Sequence, residues 1–168
     1  MEKALPYMLL FTLVTVSVFA SSPSLAQRAP ECEVENFVTD LKRLDQDIKK
    51  DEGQSWQKVR KFVARCPDDG FWAEAYSDLV TRQLAANWKD FENFLEIAKT
   101  DRDFYHFTLR HLDATVSPTD LEMVVKNTQD RCPDSARRIC SELGEQARAS
   151  LEDQRILKER MLKQGTGR

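Results

Sequence analysis

Apolar side chains in this chain return every three or four residues and no stretch alternates in twos, so the pattern leaves α-helices as the only regular element it can build. Val34, Phe37, Val38, Leu41, Leu44 and Ile48 share one face of a helix over residues 33–50. A polar turn at Asp51, Glu52 and Gly53 follows. Trp56, Val59, Phe62, Val63 and Cys66 then define a second helix, which Pro67 ends because proline has no amide hydrogen and clashes with the preceding turn. The two make a helical hairpin.

Asp69 is placed to cap a third helix that carries Phe71, Trp72, Ala75, Tyr76, Leu79, Val80 and Leu84, and a fourth carries Trp88, Phe91, Phe94, Leu95 and Ala98. Asp101 opens a fifth with Phe104, Phe107, Thr108 and Leu112. Ser117-Pro118-Thr119-Asp120 is a helix start: the serine accepts from free amides, the proline needs no donor at the first position, and the aspartate suits the positive helix end. Leu121, Val124, Val125 and Thr128 carry that sixth helix to Cys132-Pro133, and Ser135 caps a seventh bearing Ile139, Cys140, Leu143 and Ala147. The expected fold is all-α, an antiparallel bundle of six to seven helices stapled by disulfides, with no sheet. Its core should contain Phe37, Leu41, Trp56, Phe62, Trp72, Leu79, Phe91, Phe94, Phe107 and Leu121.

The two ends of the chain read differently from its middle. Tyr7 to Ala20 is an uncharged apolar run after the charged start Met1-Glu2-Lys3, too short to span a bilayer, which takes roughly 20 apolar residues. It leads into Ser-Ser-Pro-Ser-Leu-Ala, with small Ser24 and Ala26 at the positions a signal peptidase requires. Residues 1–26 are therefore read as a signal peptide cut after Ala26, the alternative being an uncleaved membrane anchor. Residues 27–150 form a single helical domain, since the length suits one ordinary core. Residues 151–168, rich in alternating charge and poor in apolar groups, are expected to fray or be disordered.

Export makes disulfides the default for the four cysteines. No CxxC occurs, which argues against a structural zinc site or a thioredoxin-like redox centre. In an antiparallel hairpin the start of the first helix lies beside the end of the second, which pairs Cys32 with Cys66. Cys132 and Cys140 face one another across a tight Pro-Asp-Ser turn, which makes the second bridge. The tetrapeptide Arg-Cys-Pro-Asp, present at residues 65–68 and again at residues 131–134, is then a helix stop joined to a staple.

No catalytic set is legible, no cofactor or metal is implied, and the protein is not expected to be an enzyme. The two histidines, His106 and His111, point about 140° apart on a helix and cannot share a metal through one face. Each reads as a helix residue tied to a neighbour. There is no Gly-rich elbow or phosphate loop. The net charge of −3 comes from interspersed acids and bases with no basic stripe, which disfavours nucleic acid as a partner. No membrane contact is expected once the leader is removed.

The stretch Phe104 to Cys140, FYHFTLRHLDATVSPTDLEMVVKNTQDRCPDSARRIC, resembles the periplasmic immunity proteins that neutralise type VI secretion amidase effectors. The resemblance rests on a Phe-rich helix running into RHLDAT, a Ser-Pro helix start, then Cys-Pro and a second cysteine. It carries over Leu109, His111, Leu112, Ser117, Leu121, Cys132, Pro133 and Cys140 as fold-defining positions, and covers the C-terminal half of the mature chain. It implies an all-helical, periplasmic protein, a homodimer, that occludes the active-site groove of a secreted peptidoglycan amidase. An exported binding or adaptor module without a toxin partner is the other reading. Helix ends and loops carry function more often than packed faces, so the expected partner-binding rim is the two ends of the fifth helix. These are Asp101, Arg102, Asp103, Asp113 and Thr115, with Tyr105 as an exposed aromatic anchor.

Overall fold

The computed structural model describes residues 32–50 and 53–165. The signal peptide with its cut after Ala26, and the turn residues Asp51 and Glu52, lie outside them. The described residues form seven α-helices and no strand: α1 Val34–Lys50, α2 Ser55–Val63, α3 Gly70–Ala86, α4 Phe91–Thr100, α5 Arg102–Arg110, α6 Pro118–Asp130 and α7 Arg137–Gly165. Short 3-10 turns, Trp88–Asp90 and Asp134–Ala136, lead into α4 and α7.

The helix starts are chemically distinct. Ser117 caps α6 by accepting from the Asp120 amide at 3.3 Å, and Asp101 caps α5 by accepting from the Phe104 amide at 2.9 Å. At the start of α3 the Asp69 side chain makes no cap; its carbonyl accepts from the Trp72 and Ala73 amides, and Gly70 opens the helix at φ +47°, a conformation that favours glycine. Ser135 does not cap α7 either, because it lies inside the 3-10 turn that starts after Pro133.

The core is built on aromatic rings. Phe37 of α1 meets Phe62 of α2 at 5.1 Å and Tyr76 of α3 at 5.7 Å, and Trp56 of α2 meets Phe94 of α4 at 4.8 Å and Phe104 of α5 at 6.3 Å. Trp88 stacks on Phe91 at 4.0 Å, and Phe91 on Phe94 at 5.6 Å, so one chain of rings ties the turn before α4 to α2. Eight of the ten expected core residues are buried; Leu41 and Phe107 are half-buried and pack against the core from its edge. The principal packed pairs are α6 with α7 and α3 with α6. Asn127 of α6 fixes the second pair by donating to the Leu84 and Ala85 carbonyls at the end of α3, at 3.1 and 2.9 Å.

Both disulfides have the expected partners: Cys32 with Cys66 at a Cα separation of 5.4 Å, and Cys132 with Cys140 at 6.2 Å. The charged tail is where the expectation fails. Residues 151–165 continue α7 as helix. The reason is local: Arg155 pairs with Glu152 three residues before it and Glu159 four after it, and Gln154 donates to the Ala114 and Val116 carbonyls of the α5–α6 turn at 3.1 and 2.7 Å.

Candidate functional site: a groove between the second and fifth helices

Arg60 and Lys61 lie near the end of α2, and the short helix α5 lies beside them, packed through buried Phe104 and Tyr105 and joined at each end by an ion pair. The Arg60 guanidinium donates to Asp101 Oδ2 at 2.6 Å at the start of α5, and the Arg110 guanidinium donates to Asp68 Oδ2 at 3.2 Å at its end. The Phe104 amide, with Arg60 behind it, holds the Asp101 carboxyl below the usual carboxylate range. Between these two latches runs an open groove of about 690 Å³. Val63, Ala64, Phe104 and Phe107 provide its apolar lining, and Arg110 stands over the Phe107 ring at 5.9 Å. Lys61, Asp103 and His106 line the groove and are exposed; Lys61 and Asp103 make no ion pair among the described residues.

A second constellation lies directly behind the Arg110 end. His111, the residue that closes α5, is buried at 4 % exposure. Its Nδ1 is 2.8 Å from Ser77 Oγ of α3, and Ser77 Oγ donates to Asp113 Oδ2 at 2.6 Å. Its Nε2 is 2.9 Å from Asp68 Oδ1, at ion-pair distance but out of line for a hydrogen bond. Burial holds the imidazole below its ordinary pKa, against the pull of Asp68. Serine, histidine and aspartate in contact invite comparison with a nucleophilic triad. Ser77, however, is 1 % exposed and does not line the groove, so a substrate has no route to its hydroxyl.

The expected rim is divided by these contacts. Asp101 and Asp103 line the groove; Arg102 is exposed at the start of α5 but does not line it. Asp113 and Thr115 lie in the turn at the far end, where the Thr115 amide donates to Asp113 Oδ1 at 2.8 Å and the Thr115 hydroxyl donates to the same oxygen at 2.5 Å. Asp113 thus joins the exposed turn, through Oδ1, to the buried network, through Oδ2. Tyr105 is not an anchor on the surface. It is 2 % exposed, its ring packs 6.3 Å from Phe94, and its hydroxyl donates to Glu142 of α7. A nine-residue helix clamped between α4 and α7 buries two sides, and Tyr105 is on the second.

Sequence reading missed the α2 half of the groove, since Arg60 and Asp101 are 41 residues apart and nothing local marks them as partners. It also read Asp68 only as part of a helix stop. No family model, curated protein or solved structure matches the chain.

Proposed function

We propose that this chain is an exported, non-catalytic inhibitor that binds a secreted peptidoglycan amidase and occludes its active site, with the α2–α5 groove as its contact surface. The observation that carries the contact assignment is the groove itself, an apolar strip of Val63, Phe104 and Phe107 edged by exposed charges, Lys61 and Asp103, that make no ion pair among the described residues. Such a strip with a polar rim is how protein interfaces are built. The amidase as partner comes from the resemblance of residues 104–140. Two disulfides suit an oxidising compartment such as the periplasm, and no helix among the described residues is long and apolar enough to cross a membrane. Leu157, Met161 and Leu162, exposed on the last turns of α7, offer the surface for pairing with a second copy in the homodimer this reading includes.

The groove volume also falls within the range of small-molecule clefts, which supports the second reading, an envelope binding or adaptor module. Co-purification from envelope extract separates the two by what accompanies the protein, an amidase or a small ligand. With the partner in hand, Lys61→Ala combined with Asp103→Ala should weaken binding at least ten-fold, about 1.4 kcal/mol, while helical circular dichroism and Tm stay unchanged. Full affinity in that double variant would remove the groove from the interface.

A further inference from the structure

The buried chain Asp68, His111, Ser77 and Asp113 has three side-chain contacts to fill: Asp68 to Nε2, Nδ1 to Ser77 Oγ, and Ser77 Oγ to Asp113; the Ser77 hydroxyl also lies 3.0 Å from the Ala73 carbonyl one turn earlier in α3. With His111 neutral, one ring hydrogen and one hydroxyl hydrogen are available for them. One contact is then always a meeting of lone pairs, at 2.6 to 2.9 Å. If Nδ1 carries the hydrogen, bare Nε2 faces the Asp68 carboxylate. If Nε2 carries it, the Ser77 hydroxyl turns to Nδ1 and Asp113 is left without a donor. One added proton places a hydrogen on both ring nitrogens while the Ser77 hydroxyl turns to Asp113, so none of the three side-chain contacts is a meeting of lone pairs. The off-line approach of Asp68 points the same way, because an ion pair depends on distance where a neutral hydrogen bond depends on angle.

We infer that these four residues are a proton-operated clasp: when His111 is protonated it binds Asp68 through Oδ1, and the carboxylate that holds Arg110 through Oδ2 at the groove's end is then shared between two cations. Every charged or titratable group facing the ring fits this account. Asp68 comes from the α2–α3 connection and Asp113 from the α5–α6 turn. Arg110 neighbours the ring on α5 and opposes its charge. Tyr76 of α3 lies edge-on at 6.1 Å and, pushed up to about 12 by burial, stays neutral. The carbonyl end of α5 also favours a cation at its C-cap, His111. Burial works against all of these, so the proton enters below the ordinary histidine range. Because burial keeps the folded pKa below the unfolded one, the neutral ring contributes stability that is full above about pH 6.5 and is lost as pH falls through the folded pKa, so the clasp closes at a cost to the fold. Acidification therefore adds one positive charge, at buried His111, against the carboxylate that Arg110 already holds at the end of the groove.

The test is a pH titration of the purified protein by nuclear magnetic resonance, following the imidazole nitrogens of its two histidines and the Arg110 guanidinium; it requires no partner, so it stands or falls independently of the amidase reading. The expected result is one proton taken up by His111 below the ordinary histidine range, with the Arg110 signal moving at the same midpoint. In Asp113→Asn the midpoint should fall by about one pH unit, the usual size of a neighbouring-charge effect, and in Asp68→Asn it should fall further while Arg110 stops following. A His111 ring that stays neutral until the protein unfolds in acid overturns the inference. So does an Arg110 signal indifferent to the His111 midpoint in the unmodified protein.

Discussion

Gly144 sits in the middle of α7 where that helix crosses α6, and replacing it with alanine sets two effects of known size against each other. In an exposed helix the change gains about 1 kcal/mol, because alanine loses less backbone freedom on folding. Here the added methyl would lie 2.7 Å from Thr128 Oγ1, closer than real Cβ contacts allow. Thr128 cannot simply swing away. It is 8 % exposed and its hydroxyl donates to the Val125 carbonyl at 2.8 Å. Forcing an atom into such a crossing costs about 1–3 kcal/mol. The net expectation for Gly144→Ala is a loss of about 1 kcal/mol. Thr128→Ala removes the oxygen and leaves Cβ at 3.5 Å, ordinary contact. In that background Gly144→Ala should stabilise the protein by about 1 kcal/mol. The sign reverses, and the coupling in the double-mutant cycle is about 2 kcal/mol. Urea denaturation followed by circular dichroism, with disulfides intact and m-values compared, measures all four corners. Stabilisation by Gly144→Ala in the unmodified protein, or coupling below about 0.5 kcal/mol, would refute the packing argument.

Two further outcomes are expected. Replacing both cysteines of a bridge by serine should cost about 4 kcal/mol for Cys32–Cys66 and about 2.5 kcal/mol for Cys132–Cys140 in the chain-entropy account, since their separations are 34 and 8 residues; denaturation of the paired variants checks the order, and a larger loss for the shorter loop would refute it. Tyr105→Phe should cost about 1.5 kcal/mol by leaving Glu142 without its phenol donor, and Tyr105→Ala about 3–5 kcal/mol. An unchanged Tm in Tyr105→Ala would put that side chain back on the surface.

What was legible in the sequence is what depends on near neighbours. Phe37, Leu44 and Ile48 are buried where a period of 3.6 puts them, and Ser117 and Asp101 cap their helices because the acceptor and the free amide are three residues apart. Proline after cysteine marked where both helices stop to within a turn, since α2 ends at Val63 and α6 at Asp130, and both bridges have the expected partners. What escaped depends on groups far away in the chain. Tyr105 looked unpartnered on its own helix, yet Glu142 reaches it from 37 residues on. The tail looked unable to fold because its apolar spacing is weak. Its helix persists on ion pairs one turn apart and on Gln154, whose acceptors lie in another loop. Asn127 carries no sequence mark as the group that closes the end of α3, since its role exists only once α6 lies across it.

The repeated Arg-Cys-Pro-Asp shows how far local chemistry reaches. In both copies the cysteine enters a bridge, but from the turn that follows the helix and not from the helix itself: α2 stops at Val63 and α6 at Asp130, before Cys66-Pro67 and Cys132-Pro133. The charged residues of the two copies have different fates. Arg65 reaches Asp40 of α1 at 2.7 Å, and Asp68 is held between Arg110 and His111, so the first copy joins α1, α5 and the α2–α3 connection. In the second copy the Arg131 carbonyl accepts from the Trp88 indole at 3.1 Å, while Asp134, 90 % exposed, pairs only with Arg137 three residues along. An exposed pair at that spacing contributes a few tenths of a kcal/mol. Asp68 is instead held by two groups at the end of α5, Arg110 and His111, from a connection that begins at the Cys32–Cys66 bridge. That concentration of constraints on one carboxylate is what gives the groove a charge that a single proton can redistribute.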